Sequence, residues 1–189
     1  MSIEVRELSF PGVYEITPQR FSDERGFFSE TYNAQVKTQI GADFVWVQDN
    51  HSHTVRTGVL RGLHYQLPPR AQDKLVRVSH GRAFDVIADL RKQSPTFGRW
   101  LGIELSAQKW NQLFVPKGFA HGYLTLEPNT EVLYKVSDNY SPEHERTICF
   151  DDETLAIDWP LEGRQPVLSP KDQQASSLGD ADLPDTWEK

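Results

Sequence analysis

The chain has 189 residues, 38% hydrophobic and 25% charged, which suits one soluble globular domain over 1–189 with a sizeable core. Twenty basic against 27 acidic residues give a formal charge of −7, which argues against nucleic acid as a partner but not against a small anionic ligand met by a local arginine cluster. No apolar run is long enough to span a bilayer, the start MSIEVRELSF lacks the marks of a signal peptide, and Cys149 as the single cysteine fits a reducing cytoplasm.

Strand signals dominate, with β-branched and aromatic residues alternating between turn residues. In chain order the expected strands are VYEIT (13–17), GFFSETY (26–32), FVWVQ (44–48), VLRGLHYQ (59–66), KLVRVSH (74–80) and AFDVIADL (83–90). WLGIELS (100–106), QLFVP (112–116), GYLTLE (122–127), EVLYKVS (131–137) and RTICF (146–150) follow. NAQVKTQI (33–40) reads as an early helix, and Ser169-Pro170-Lys171-Asp172 as a late one with Ser169 as N-cap and Pro170 at its first position. Many short, evenly spaced strands predict an all-β sandwich or closed barrel, with the proline-rich tail after Trp159 packing back over it. Cys149, in the strand-like TICF without an evident activating base, reads as a small core residue.

Strand alternation sorts faces. Leu60, Gly62, His64 and Gln66 share one face, with Arg61, Leu63 and Tyr65 on the other; Val132, Tyr134 and Val136 share a face of their strand. If Leu60 and Val132 point inward, His64 and Tyr134 both enter the barrel interior. A single inward histidine is commonly a core residue satisfied by one hydrogen bond, so the case for chemistry rests on its neighbours. Arginines crowd the first half of the chain (Arg20, Arg25, Arg56, Arg61, Arg70, Arg77 and Arg82), where the bland reading of each is a solvated charged face.

The stretch from Leu60 to Gly81 is similar to the first motif of cupin barrels, which carries H-x-H, then a glutamate, then glycine. His64 and Gln66 stand at the H-x-H positions and Lys74 at the glutamate's, after a longer loop. The second motif, P-x-G-x-x-H, is intact from Pro116 to His121. The chain therefore resembles a cupin-type jelly roll, with a few short helices mainly after the N-terminal strands and at the C-terminus, in which two of four metal ligands are lost. A lysine ammonium has no lone pair to donate and repels a cation, so the expected site has no metal and no cofactor. A fixed positive charge in a dry pocket can instead stabilise an oxyanion. With His64 as base and the Tyr134 hydroxyl as acid, the set suits proton removal α to a carbonyl and its return on the opposite face: epimerisation through an enolate.

Several longer blocks carry a more specific resemblance: DERGFF (23–28), VWVQDNHS (45–52), VLRGLHYQ (59–66), KLVRV (74–78), FDVIADLRKQSPTFGRW (84–100), VPKGFAHGYLTL (115–126), LYKVSDNYSPEHE (133–145), IDWP (157–160) and LSPKD (168–172). These resemble the dTDP-4-dehydrorhamnose 3,5-epimerases from about residue 10 to residue 175. The resemblance implies His64 as the base with Asp172 orienting its ring, Lys74 facing the developing enolate oxygen, and Tyr134 as proton donor. It implies substrate contacts from Arg25, Glu30, Gln48, Asp49, Asn50, Arg61, His121, Tyr140, Glu145 and Lys171, with Tyr140 bearing on which carbons are inverted. It further implies a dTDP-sugar substrate and a homodimer that shares early strands, so that Arg25 and Glu30 serve a partner's site. Inversion at one carbon only, a metal-dependent cupin enzyme, and a non-catalytic sugar-binding jelly roll are the competing readings. His51 and His53 form the one true H-x-H, without a matching downstream glutamate, and read as loop or substrate-edge residues; His80 reads as structural.

Overall fold

The computed structural model describes residues 3–187. Its elements run β1 (Ile3–Glu7), β2 (Tyr14–Pro18), β3 (Phe21–Asp23), β4 (Gly26–Phe28), α1 (Gln35–Ile40), β5 (Gln48–Thr54), β6 (Leu60–Gln66), β7 (Lys74–His80), β8 (Arg82–Asp89), β9 (Trp100–Ser106), β10 (Gln112–Val115), β11 (Phe119–Thr125), β12 (Thr130–Val136), β13 (Glu145–Thr147) and α2 (Pro170–Gln173). One sheet has the order β1-β2-β10-β7-β12-β5 and the other β13-β6-β11-β8-β9, while β3 and β4 form a separate hairpin. All the pairings between these strands are antiparallel, and the two sheets stack as a jelly roll.

Alternating apolar residues give each sheet two buried faces, and three clusters result. Between the sheets, Val76, Val78, Leu113 and Val132 meet Ala83, Ile87, Leu105 and Phe119. On the outer face of the first sheet, Val36, Ile40 and Phe44 pack on Ile16, Leu75 and Phe114. Helix α1 ends at Gly41, whose left-handed φ of 65° lets its N–H turn back onto the last helical carbonyls. On the outer face of the second sheet, the tail residues Leu155, Trp159, Leu178 and Trp187 cover Leu60, Leu63, Tyr65 and Val86, as the sequence predicts for the tail.

The face assignment of β6 needs correction. Leu60 does not point between the sheets but outward, in the cluster under the tail, together with Leu63 and Tyr65. His121 pairs with His64 and Tyr123 with Arg61, so two steps along β11 span three along β6. That extra residue is a β-bulge at Gly62–Leu63, and it resets the alternation so that Arg61 and His64 face the same way. Only glycine fits there: φ is 122°, and a Cβ on Gly62 would lie 2.5 Å from Cα of Gly122 on β11. Gly62→Ala is expected to cost about 3 kcal/mol of stability, from overpacking added to an unfavourable φ, and to misalign Arg61 and His64 together. Chemical denaturation with residual-activity measurements on the folded fraction checks this.

Other expectations also differ: GFFSETY is a strand only to Phe28, and RTICF only to Thr147. FVWVQ (44–48) is not a strand: Phe44 and Trp46 join an aromatic cluster with Phe114 outside the sheet. The strand starts at Gln48 and runs through polar QDNHSHT. Cys149 is half-buried rather than core, Ile148 beside it filling the core. Burial raises the Cys149 thiol above its ordinary pKa, and the neighbouring Asp152 and Asp151 add to this, so it is a poor nucleophile.

Candidate active site

A cavity of about 440 Å³ opens at one end of the sandwich, lined from both sheets. Gln48, Asn50, Lys74 and Tyr134 reach it from the first sheet, and Arg61, His64, Gln66, His121 and Glu145 from the second, with Tyr140 and Asp172 at its edge. A larger cavity of about 610 Å³ lies on the outer face of the second sheet. Its two arginines are held in ion pairs, Arg82 with Glu127 and Glu104 and Arg164 with Glu162.

His64 occupies the second-sheet wall, half-buried. Its Nε2 lies 2.7 Å from Asp172 Oδ1. Asp172 is held by its own helix start: Ser169 Oγ accepts from the Asp172 N–H at 3.2 Å and donates to Asp172 Oδ2 at 2.6 Å. The Gly62 N–H at the bulge also donates to Asp172 Oδ1, at 3.3 Å. Capping and ring orientation are thus one arrangement, as the Ser169-to-Asp172 stretch suggests. Burial pushes the Asp172 carboxyl up, but the hydrogen bonds from His64 and Ser169 outweigh it and leave it below the ordinary carboxylate value. Burial lowers the His64 imidazole below its ordinary 6.5, against the upward pull of Asp172, so at neutral pH it is an unprotonated base.

Lys74 enters from β7, is 8% exposed, and donates from Nζ to the His64 carbonyl at 3.3 Å. Burial pushes its ammonium down to about 8, opposed by the charges of Asp85 and Glu145. Tyr134 faces His64 from β12 on the opposite sheet, and burial raises its phenol above 10.0, with the Arg61 guanidinium pulling the other way. A phenol so raised stays protonated at neutral pH and can give up its proton only to a strong base.

His121 pairs with His64 across β11 and β6, and its Nε2 lies 3.0 Å from both carboxylate oxygens of Asp85, which is fully buried. Sequence reasoning misses Asp85. The available signal is parity: within AFDVIADL it shares the inward face with Ala83 and Ile87. Around the mouth, Tyr140 donates to Glu145 at 2.6 Å, Glu145 pairs with Lys171 at 2.5 Å, and Gln48 donates to Asn50 at 2.8 Å. The four positions that bind metal in the cupin pattern are thus committed elsewhere: His64 to Asp172, His121 to Asp85, Gln66 to loop backbone, and Lys74 as a cation. Among the described residues, no group of three or more His, Cys, Asp or Glu side chains is placed to hold a metal ion.

Four expected contacts do not line this cavity: Lys171 reaches only its rim, through Glu145, and three lie away from it. Asp49 alternates with Gln48 and Asn50 onto the outer face of β5, where Lys135 Nζ lies 2.8 Å away. Arg25 sits at the exposed tip between β3 and β4, bound to Asp23, and Glu30 accepts a hydrogen bond from Asn33. His51 and His53 are exposed on the same outer face as Asp49, with His51 3.3 Å from Glu131. His80 is exposed and bonds to the Asn129 carbonyl at 2.8 Å, a structural contact as expected.

A bell-shaped pH profile follows for kcat/KM, which reports the free enzyme's groups. The acid limb, where His64 gains a proton, is expected below pH 6.5, and the alkaline limb, where Lys74 loses its charge, near pH 8. Asp85 favours the Lys74 cation, so Asp85→Asn is expected to move the alkaline limb to lower pH and leave the acid limb in place. Steady-state rates across pH 5 to 10 check both limbs.

A jelly roll with a histidine–carboxylate dyad, a buried ammonium and a phenol around one cavity has the groups that an isomerase working by proton transfer needs. The family model for dTDP-4-dehydrorhamnose 3,5-epimerase matches residues 7–180. A dTDP-4-dehydrorhamnose 3,5-epimerase of Pseudomonas aeruginosa is 49% identical over 181 residues, covering 95% of this chain and 98% of that one. The Legionella pneumophila dTDP-6-deoxy-D-glucose-3,5-epimerase, solved with dTDP-4-keto-L-rhamnose, superposes with a TM-score of 0.92 at 44% identity over 97% of this chain and 98% of that chain. The Bacillus anthracis enzyme, solved with TDP and PPi, gives 0.89 at 46% identity over 93% and 99%. The chain belongs to the dTDP-4-dehydrorhamnose 3,5-epimerase family.

Proposed function

We propose that the chain converts dTDP-4-dehydro-6-deoxy-D-glucose to dTDP-4-dehydro-L-rhamnose, inverting C3 and C5. The observation that carries this reading is the placement of His64, backed by Asp172, and Tyr134 on opposing sheets across one cavity, which Lys74 also enters from β7, the strand beside that of Tyr134. His64 takes the proton from a carbon α to the C4 ketone. The C–H electron pair becomes the enolate double bond, and the carbonyl oxygen gains charge beside the Lys74 ammonium. Tyr134 then delivers a proton to the opposite face of the same carbon, and solvent exchange restores His64 and Tyr134. Neither step calls for a metal or a redox cofactor. Repetition at the second α carbon completes the change to the L-sugar.

Arg61, Gln48, Asn50, His121, Tyr140, Glu145 and Lys171 hold the nucleotide sugar, Arg61 suiting the diphosphate through its planar fork. Arg25 and Glu30 serve the cavity of a second copy in a homodimer. The β3–β4 hairpin supports this: Phe21, Phe27 and Phe28 are 41%, 50% and 63% exposed, an apolar surface that a partner would cover. The whole chain acts as one epimerase domain in the cytoplasm; among the described residues no helix is long and apolar enough to cross a membrane.

Borohydride trapping of the product tests the reading. Double inversion yields L-rhamnose and 6-deoxy-L-talose, inversion at C3 alone yields 6-deoxy-D-allose and 6-deoxy-D-gulose, and recovery of only the sugars from reduced substrate would refute the activity. In Tyr134→Phe, deuterium uptake from heavy water is expected to continue while formation of the L-sugar drops at least about tenfold, in line with loss of a general acid. Full yield of the L-product in that variant would remove Tyr134 from the donor role.

A further inference from the structure

Gln66 stands two residues beyond His64 on β6, and it is 5% exposed. Its side chain is satisfied by the backbone of two loops. Nε2 donates to the Arg70 carbonyl at 2.6 Å and the Asn139 carbonyl at 3.2 Å, while Oε1 accepts from the Ser141 N–H at 2.8 Å. One amide thus ties the loop after β6 to the loop after β12, gripping the latter on either side of Tyr140. Tyr140 is 53% exposed at the cavity edge, and its own anchors are the Gln48 side chain at 3.0 Å and Glu145 at 2.6 Å.

We propose that Gln66 is a positioning residue for substrate capture, which acts through Tyr140 by fixing the aromatic edge of the cavity mouth. The inference rests on reading the cavity as the nucleotide-sugar site. An amide is required because the two loops present carbonyls to one end and an N–H to the other. A carboxylate at this position would meet two carbonyls with no proton to donate, and a thioether would fill the space without bonding to either loop. Gln66 makes no contact with His64, Lys74 or Tyr134 side chains in its hydrogen bonding, so its loss should be felt in binding rather than in proton transfer.

The test compares Gln66→Glu, Tyr140→Ala and the double variant for kcat and KM on dTDP-4-dehydro-6-deoxy-D-glucose and for inhibition by dTDP. Gln66→Glu is expected to raise KM and the dTDP inhibition constant about tenfold each with kcat held within about twofold, a binding loss of the size one or two lost hydrogen bonds give. Because Gln66 acts through Tyr140, the double variant should bind no more weakly than Tyr140→Ala alone. A fall in kcat with KM unchanged, or losses that multiply in the double variant, would overturn the proposal. If Gln66→Glu fails to fold, Gln66→Met is read by the same criteria. A parent chain unable to turn the substrate over would overturn the nucleotide-sugar reading and this inference together, whereas an active parent with an unaltered Gln66→Glu overturns the inference alone.

Discussion

Replacing His64 by alanine is expected to lower kcat by about 10³- to 10⁴-fold, the upper part of what a positioned general base contributes. The fold should survive, because the side chain is half-buried at a cavity wall rather than in one of the three apolar clusters. What the substitution does cost structurally falls on Asp172, which loses one of its hydrogen-bond donors but keeps Ser169 and the Gly62 N–H. Circular dichroism together with single-turnover kinetics separates the two effects. Turnover within a few-fold of the parent would remove His64 from the role of base.

Lys74→Met is expected to lower kcat by about 10²- to 10³-fold with little change in KM, because the ammonium matters most when charge has developed on the enolate oxygen. The same substitution should stabilise the fold at neutral pH. Burial lowers the folded-state value of Lys74 to about 8 from 10.5, so below pH 8 the protein carries a cation that the unfolded chain would hold at no desolvation cost. In the parent, that penalty is fully present at neutral pH and fades as pH rises from about 8 towards 10.5. The variant removes it and leaves a methionine that fills most of the same space. A higher melting temperature at pH 7 with a lost kcat would mark Lys74 as a residue kept for chemistry at the expense of stability. Unchanged kcat would refute the electrostatic role.

How far the sequence reveals this site depends on where local pattern matches tertiary structure. Strands from β6 to β12 are legible because their apolar residues alternate or run continuously, and most predicted ranges fall within a few residues of the observed ones. β5 is not legible: it is an edge strand whose inward side chains line a cavity, so polar residues replace the β-branched ones that signal a strand. The aromatic run before it mimics a strand, yet packs against Phe114 outside the sheet. The short exposed β3 lies within a polar run and gives no signal, whereas β1 carries one that goes unused, Ile3 and Val5 alternating with Glu4 and Arg6.

His64 and Tyr134 are assigned to the interior correctly, but the route to His64 passes through Leu60, which points the other way. The bulge at Gly62 is the reason. Period-two alternation holds on each side of it and changes phase across it, so the simple pattern separates Arg61 from His64 while the structure unites them. Gly62 is the visible trace of that change, since an isolated glycine in a strand often marks a bulge or a close backbone approach. Parity places Asp85 inward, but its pairing with His121 is not legible, because the two are distant in the sequence and only sheet pairing brings them to 3.0 Å.

Proton NMR of the chelator-treated parent chain with dTDP-4-dehydro-6-deoxy-D-glucose in heavy water tests the central claim most directly. A base facing an acid across one cavity, with a fixed ammonium for the enolate, predicts loss of both the C3 and C5 proton signals as the L-configured product appears. Persistence of both signals, or exchange that begins only when a divalent metal is restored, would contradict it.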